Sequence, residues 1–185
     1  MYNMTRFYPF WINPQMVYPY LFCLNPQMIY PPNFKVNTPM YNQNFKEPTH
    51  DLRDNRSFPL VINIDDAVDN NNTFRTVLWT GNNLQVTVMS IGVGEDIGLE
   101  VHPNGDQFIR IEDGDGLVVM GDSQDNLDFQ RRVSDEWAIM IPAGKWHNII
   151  NIGDDPLKLY VIYAPPEHPA NTIHQNKSDA DADMY

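Results

Sequence analysis

From Phe58 onward the chain alternates short apolar runs with tight polar punctuation. Leu60-Val-Ile-Asn-Ile64 and Thr73-Phe-Arg-Thr-Val-Leu-Trp-Thr80 are rich in branched and aromatic residues and close on Asp, Asn or Gly. Leu84, Val86 and Val88 alternate with Gln85 and Thr87, the two-residue period of a strand with one wet face. Further strands are expected over 98–102, 107–112, 117–120, 137–141, 147–152 and 157–164. Turn signals separate them, among them Asp113-Gly-Asp-Gly116 and Gly153-Asp-Asp-Pro156, and Pro165-Pro166 stops the last one. Many short strands without helical periodicity predict an all-β sandwich or barrel.

Residues 1–57 follow a different pattern. The first 48 hold eight of the 15 prolines, six of the nine tyrosines and five of the nine methionines. Proline at this density removes ladder donors and blocks helix. Asn13-Pro-Gln-Met-Val-Tyr-Pro19 returns as Asn25-Pro-Gln-Met-Ile-Tyr-Pro31, and two copies are too few for a solenoid. The expected organisation is a disordered Pro/Tyr/Asn-rich tail over 1–57, a barrel over 58–166 and a frayed C-terminal tail over 167–185. The aromatic and Met content of the first tail fits either a segment that docks on a partner or a tolerated extension.

Charge narrows the class of partner. The net charge is −12, whereas phosphate-backbone binding needs clustered Lys and Arg, so no nucleic-acid partner is expected. No run approaches the ~20 apolar residues that span a bilayer, and the N-terminus does not read as a secretory signal. The one cysteine, Cys23, leaves no internal disulfide and suits a cytoplasmic setting.

The candidate chemistry lies in two clusters. Glu100-Val-His102 places a carboxylate and an imidazole two residues apart, on one face of a strand. Some forty residues later Pro142, Gly144, His147 and Asn151 stand in the order P-x-G-x-x-H-x-x-x-N. If both segments face the inside of a barrel, two imidazoles and a carboxylate converge, a donor set suited to Mn, Fe, Ni, Co or Zn. A Pro–Gly turn would aim His147, and Asn151 reads as a structural hydrogen-bonding group. Arg110, His50, His168 and His174 are expected at the surface or in loops, and Trp137 and Trp146 in barrel packing.

These residues resemble the two motifs of the cupins, G(x)5HxH(x)3-4E(x)6G and G(x)5PxG(x)2H(x)3N. Gly94 opens the first motif, Glu100 stands at its first His, His102 at its second, Gln107 at its Glu, and Gly114 closes it. The second motif matches from Pro142 to Asn151, with Asp135 for its opening Gly. The resemblance covers roughly residues 60–166. It implies a double-stranded β-helix, or jelly roll, with a divalent metal held by Glu100, His102, Gln107 and His147. The carboxylate has moved within that shell while its summed charge stays at minus one. Gln107 is a weak ligand that would leave a position open to water or substrate, and Asp106, its rival, is one residue out of step.

The stretch from Gly94 to His168 is also similar to small bacterial cupins labelled mannose-6-phosphate isomerase-like, a label that rests on fold. The leading expectation is a metal-dependent cupin acting on a small polar metabolite such as a sugar or sugar phosphate, with Glu100 as ligand or proton acceptor. An O2-dependent dioxygenase is the enzymatic alternative. The tail is similar in texture to spore coat proteins, which implies a coat or assembly role with coat partners and spore association as a third. A sensor that binds without converting is a fourth. Cupins are often dimers, so a homodimer is expected.

Overall fold

A computed structural model describes residues 53–183 apart from 55 and 57. The expectations for the N-terminal tail, for Cys23 and for His50 lie outside the described residues. Within them the chain is mostly β. Helix α1 (Ile64–Asp69) leads into β1 (Arg75–Thr80), β2 (Gln85–Ile91), β3 (Asp106–Asp113), β4 (Gly116–Gly121), β5 (Phe129–Val133), β6 (Ala138–Ile141), β7 (Trp146–Asn151), β8 (Leu157–Ala164), β9 (Ile173–His174) and α2 (Lys177–Asp183). One sheet has the order β6-β3-β8-β2-β1-β9 and the other β5-β4-β7, and all their paired strands run antiparallel. Together they form the jelly roll.

The core lies between the two sheets. Ile109, Ile111, Leu159, Val161 and Met89 from the larger sheet join Val118, Ile149 and Val133 from the smaller in one buried cluster. Cross-strand partners share a face, so each row of the larger sheet can be followed inward. Arg75, Met89, Leu159 and Ile111 make one inward row. Val77, Thr87, Val161 and Ile109 make the next, and Gln85, Tyr163, Gln107 and Ile141 another.

The face of β2 expected in water is therefore an interior one: Gln85 and Thr87 are both fully buried. The opposite face is covered as well. Val88 packs with Leu78 against Ala67 and Val68 of α1.

That helix replaces the expected first strand. Ile64, Ala67 and Val68 recur at helical spacing onto the sheet, and Asp65 and Asp66 sit in the first turn, where negative charge suits the helix dipole. Lys158 of β8 donates to the carbonyls of Asp69 and Asn71 at 2.9 and 2.6 Å and meets its open C-terminal end.

Other expectations need correction. β5 carries Phe129-Gln-Arg-Arg-Val133, an edge strand whose first four residues are exposed and whose polar sequence hides it. Trp137 is about half exposed (51 %) rather than packed in the barrel. Residues 177–183 form α2, with Ala180 buried in the main core, so this end is not frayed.

Candidate metal centre

Glu100 and His102 do not lie in a regular strand. Gly98 takes a positive φ of 93° just before them and Pro103 follows, which leaves a single bridge between Glu100 and His147. Glu100 N–H donates to the His147 carbonyl at 3.0 Å, and His147 N–H donates to the Glu100 carbonyl at 2.9 Å. One bridge suffices to set both side chains inward together.

The turn before β7 aims His147 further. Lys145 N–H donates to the Pro142 carbonyl at 3.2 Å, and Gly144 at φ 80° fills the position of a type II turn that favours glycine. The turn is held from outside by Asp106, whose Oδ1 accepts from Ala143 N–H at 2.9 Å, and from inside by Gly144 N–H donating to the His102 carbonyl at 2.9 Å. Asp106 thus points away from the site, as its place in the strand predicts. Glu136, one residue beyond Asp135, takes a positive φ of 68°.

His147 Nδ1 lies 2.9 Å from the Lys145 carbonyl. A carbonyl only accepts, so Nδ1 carries the proton and Nε2 keeps a bare lone pair. That Nε2 is buried and has no hydrogen-bond partner. It faces Glu100 Oε1 at 3.3 Å, and His102 Nε2 faces the same oxygen at 3.3 Å. One donor atom from each of Glu100, His102 and His147 lies within 4.8 Å of the others. An ion with ligand bonds of about 2.1 Å separates adjacent donors by roughly 3.0–3.4 Å, so this spacing fits a shared cation.

The electrostatics agree. Burial favours the neutral Glu100 carboxyl, but a hydrogen bond from His102 and the charges of His102 and Arg75 hold it well below the usual carboxylate range. Burial also opposes a charge on His102, and the Glu100 and Glu167 carboxylates outweigh it and raise the pKa. His102 Nδ1 is 3.2 Å from Glu167 Oε1. A carboxylate behind an imidazole fixes its tautomer and strengthens it as a ligand.

Gln107 is buried on β3 in the inward row it shares with Tyr163, and its Oε1 has no partner. The three charged or imidazole donors are brought together, and Gln107 contributes an unpaired amide oxygen to the same interior. Asn151 is structural: its amide donates to the Ile91 and Asp155 carbonyls at 2.9 Å each, and its oxygen accepts from Gly153 N–H at 2.9 Å. Arg110 pairs with Glu112 at 3.2 Å, away from the site.

Sequence reasoning misses two residues here. Glu167 and His168 follow the Pro165-Pro166 stop and return to the barrel. Buried Gln85 clamps His168 through both backbone groups, Nε2 to its carbonyl at 2.9 Å and Oε1 from its N–H at 3.0 Å. The His168 ring then meets Tyr163 edge-on at 5.0 Å, and Tyr163 meets His102 at 5.6 Å. His174, also expected in a loop or tail, is 5 % exposed on β9. The signal available was the polar strand face at Gln85 and Thr87.

Residues 87–163 match the family model described as "Cupin domain". The chain belongs to the cupins. This cupin is 62 % identical to the protein YrkC of Bacillus subtilis (strain 168) over 129 residues, 70 % of this chain and 69 % of the relative. A protein of Acanthamoeba polyphaga mimivirus is 39 % identical over 120 residues, 64 % of this chain and 73 % of its own. A crystal structure from Bacillus halodurans superposes with a TM-score of 0.70 at 59 % identity, covering 70 % of this chain and 98 % of that one. Among the described residues no helix is long and apolar enough to cross a membrane.

Proposed function

We propose that this cupin binds one divalent metal ion through Glu100, His102 and His147 and acts on a small polar metabolite, a sugar or sugar phosphate among the candidates. The bare, buried Nε2 of His147, with its tautomer set by the Lys145 carbonyl, carries this reading. Gln107 Oε1 is the fourth donor, and as a neutral amide it yields readily to water or substrate. When bound, the ion supplies Lewis acidity toward a substrate oxygen. The chain's own part is to exclude water with the buried rows of the larger sheet, to orient substrate against Tyr163 and Gln107, and to keep Glu100 charged toward the ion.

One observation favours an oxygen-dependent variant. Two imidazoles and one carboxylate are the ligand set that suits non-haem Fe(II), with positions left for substrate and O2. Metal identity separates the two chemistries. Thermal unfolding with Mn2+, Fe2+, Ni2+, Co2+ and Zn2+ added in turn should show one ion that raises Tm well above the rest. Product analysis with sugars and sugar phosphates, with and without O2, then follows with that ion. No stabilisation by any of the five would overturn the metal site, and a stabilised protein without turnover would leave binding in place of catalysis.

A further inference from the structure

Arg75 is a buried cation to which the described residues offer no hydrogen-bond acceptor or counter-charge in contact. Its residue is 5 % exposed, its Nε has no hydrogen-bond partner, and among the described residues the guanidinium makes no hydrogen bond or ion pair. What it touches is the face of Phe74, with Cζ 5.6 Å from the ring centroid. An aromatic face offsets only part of the cost of removing a charge from water. Arg75 shares its row with Met89, Leu159 and Ile111 of the core, so it enters the barrel from β1.

The next inward row holds Thr87, whose Oγ1 is also buried and unpartnered, and the row beyond holds Gln107 with its bare Oε1. His168 adds an unpartnered Nε2 beside Tyr163. A strip of unsatisfied polar atoms thus runs along the interior from Arg75 to the metal centre. Buried polar atoms in native proteins find partners, so these atoms are places for ordered water or for a polar guest.

We infer that the guest is an anion: a small molecule whose carboxylate or phosphate pairs with the Arg75 guanidinium while its other polar oxygens face Thr87, Gln107 and the metal ligands. This rests on the metal-binding proposal for the far end of the guest and for the charge sum below. The planar fork of Arg suits both oxyanions, and each accepts it through two oxygens.

The charge sum points the same way. Glu100 and Glu167 bring two negative charges, against two positive charges from a divalent ion and one from Arg75, which leaves the site one negative charge short. His168 does not alter the sum, because burial, and then the Arg75 charge, push its pKa down to about 3 and keep it neutral. The Arg75 charge is felt at Glu100 and Tyr163 as well, which places it within electrostatic reach of the centre.

The test is calorimetric titration of the full chain, metal-free and Mn2+-loaded, with inorganic phosphate, malonate and neutral mannose. Wild type should bind phosphate or malonate saturably, and Arg75→Met should weaken that binding at least tenfold in both metal states. Arg75→Lys should lose less, and mannose should not distinguish the variants. An anion affinity unchanged by Arg75→Met, or no saturable binding of either anion to wild type, would overturn the inference.

Thermal unfolding of Arg75→Met supplies a second readout. Replacing an unpaired buried cation with an apolar chain should leave the metal-free, anion-free Tm unchanged or higher. A lower Tm, or failure to fold, would mean that Arg75 is a structural counter-charge, and would contradict it. If the metal proposal fails, the metal-free titration still decides this one; metal binding combined with indifference to Arg75 removes only this one.

Discussion

Glu100 and His147 are paired twice: their backbones exchange reciprocal hydrogen bonds of 3.0 and 2.9 Å, and their side chains meet at 3.3 Å. The first pairing makes the second dependable, because neither side chain relies on its own rotamer alone to reach the other. Substitutions that change only the side chain should therefore leave the fold intact. Glu100→Gln removes the sole carboxylate among the three close donors. It should lower metal affinity by roughly 100-fold or more, since a neutral amide replaces a charged ligand, and lower the Tm of the metal-free protein at neutral pH, since a carboxylate held below its usual range contributes stability there. Metal titration of the two proteins checks this, and equal affinity would contradict the assignment of Glu100.

Glu167 acts through His102, which it faces at 3.2 Å. As a positioning residue it should matter less than a ligand. Loss of such a partner costs about 10–100-fold in metal affinity, so Glu167→Gln should fall in that range. The two carboxylates also raise the His102 pKa, so the metal must displace a proton from it at low pH. Affinity should therefore rise with pH through that raised pKa, and Glu167→Gln should shift the rise to lower pH. A structural role alone would leave the pH profile in place.

Asn151 ties β7 to the Ile91 carbonyl and to the turn over 153–155 with three hydrogen bonds. It is 1 % exposed, so Asn151→Ala strands the partners away from water. The expected loss is roughly 2–4 kcal/mol in urea unfolding, from unsatisfied buried groups, with the metal stoichiometry of the folded protein unchanged. Loss of metal without loss of stability would instead make Asn151 a ligand-side residue.

The strands from β3 to β8, apart from β5, were legible because short apolar-rich runs stand between turns that carry Gly, Asp or Pro. The cluster of Glu100, His102 and His147 was legible because these residues stand at fixed spacing around turns that need particular residues. What escaped depends on which face is covered. Gln85 and Thr87 read as the wet side of β2, yet they line the interior while α1 covers the apolar side. Ile64 looked like the end of a strand because the helical spacing to Ala67 and Val68 is only one turn long. Glu167 and His168 were hidden because a loop residue acquires its role through contacts more than sixty residues away, with His102 and Gln85.

His168 gives the barrel an acid-sensitive side. Its ordinary pKa of 6.5 falls to about 3, because burial disfavours the charged ring and Arg75 repels it. Above 6.5 it is neutral in both folded and unfolded chains. Between 6.5 and 3 the unfolded chain takes up a proton that the folded one refuses, so stability falls as pH falls. By pH 5 the loss from this group is about 2 kcal/mol, at about 1.4 kcal/mol per pH unit. Urea unfolding at pH 7 and pH 5 should show a drop that His168→Gln reduces by about that amount. An identical drop in the variant would show that His168 titrates normally.

Elemental analysis of protein purified without added metal, for wild type beside His147→Ala, tests the shared cation most directly. Wild type should carry close to one equivalent of a single divalent metal per chain, and the variant, folded but lacking the bare Nε2, should carry almost none. A metal-free wild type that no added ion can load, or an alanine variant that retains its full equivalent, would contradict the account.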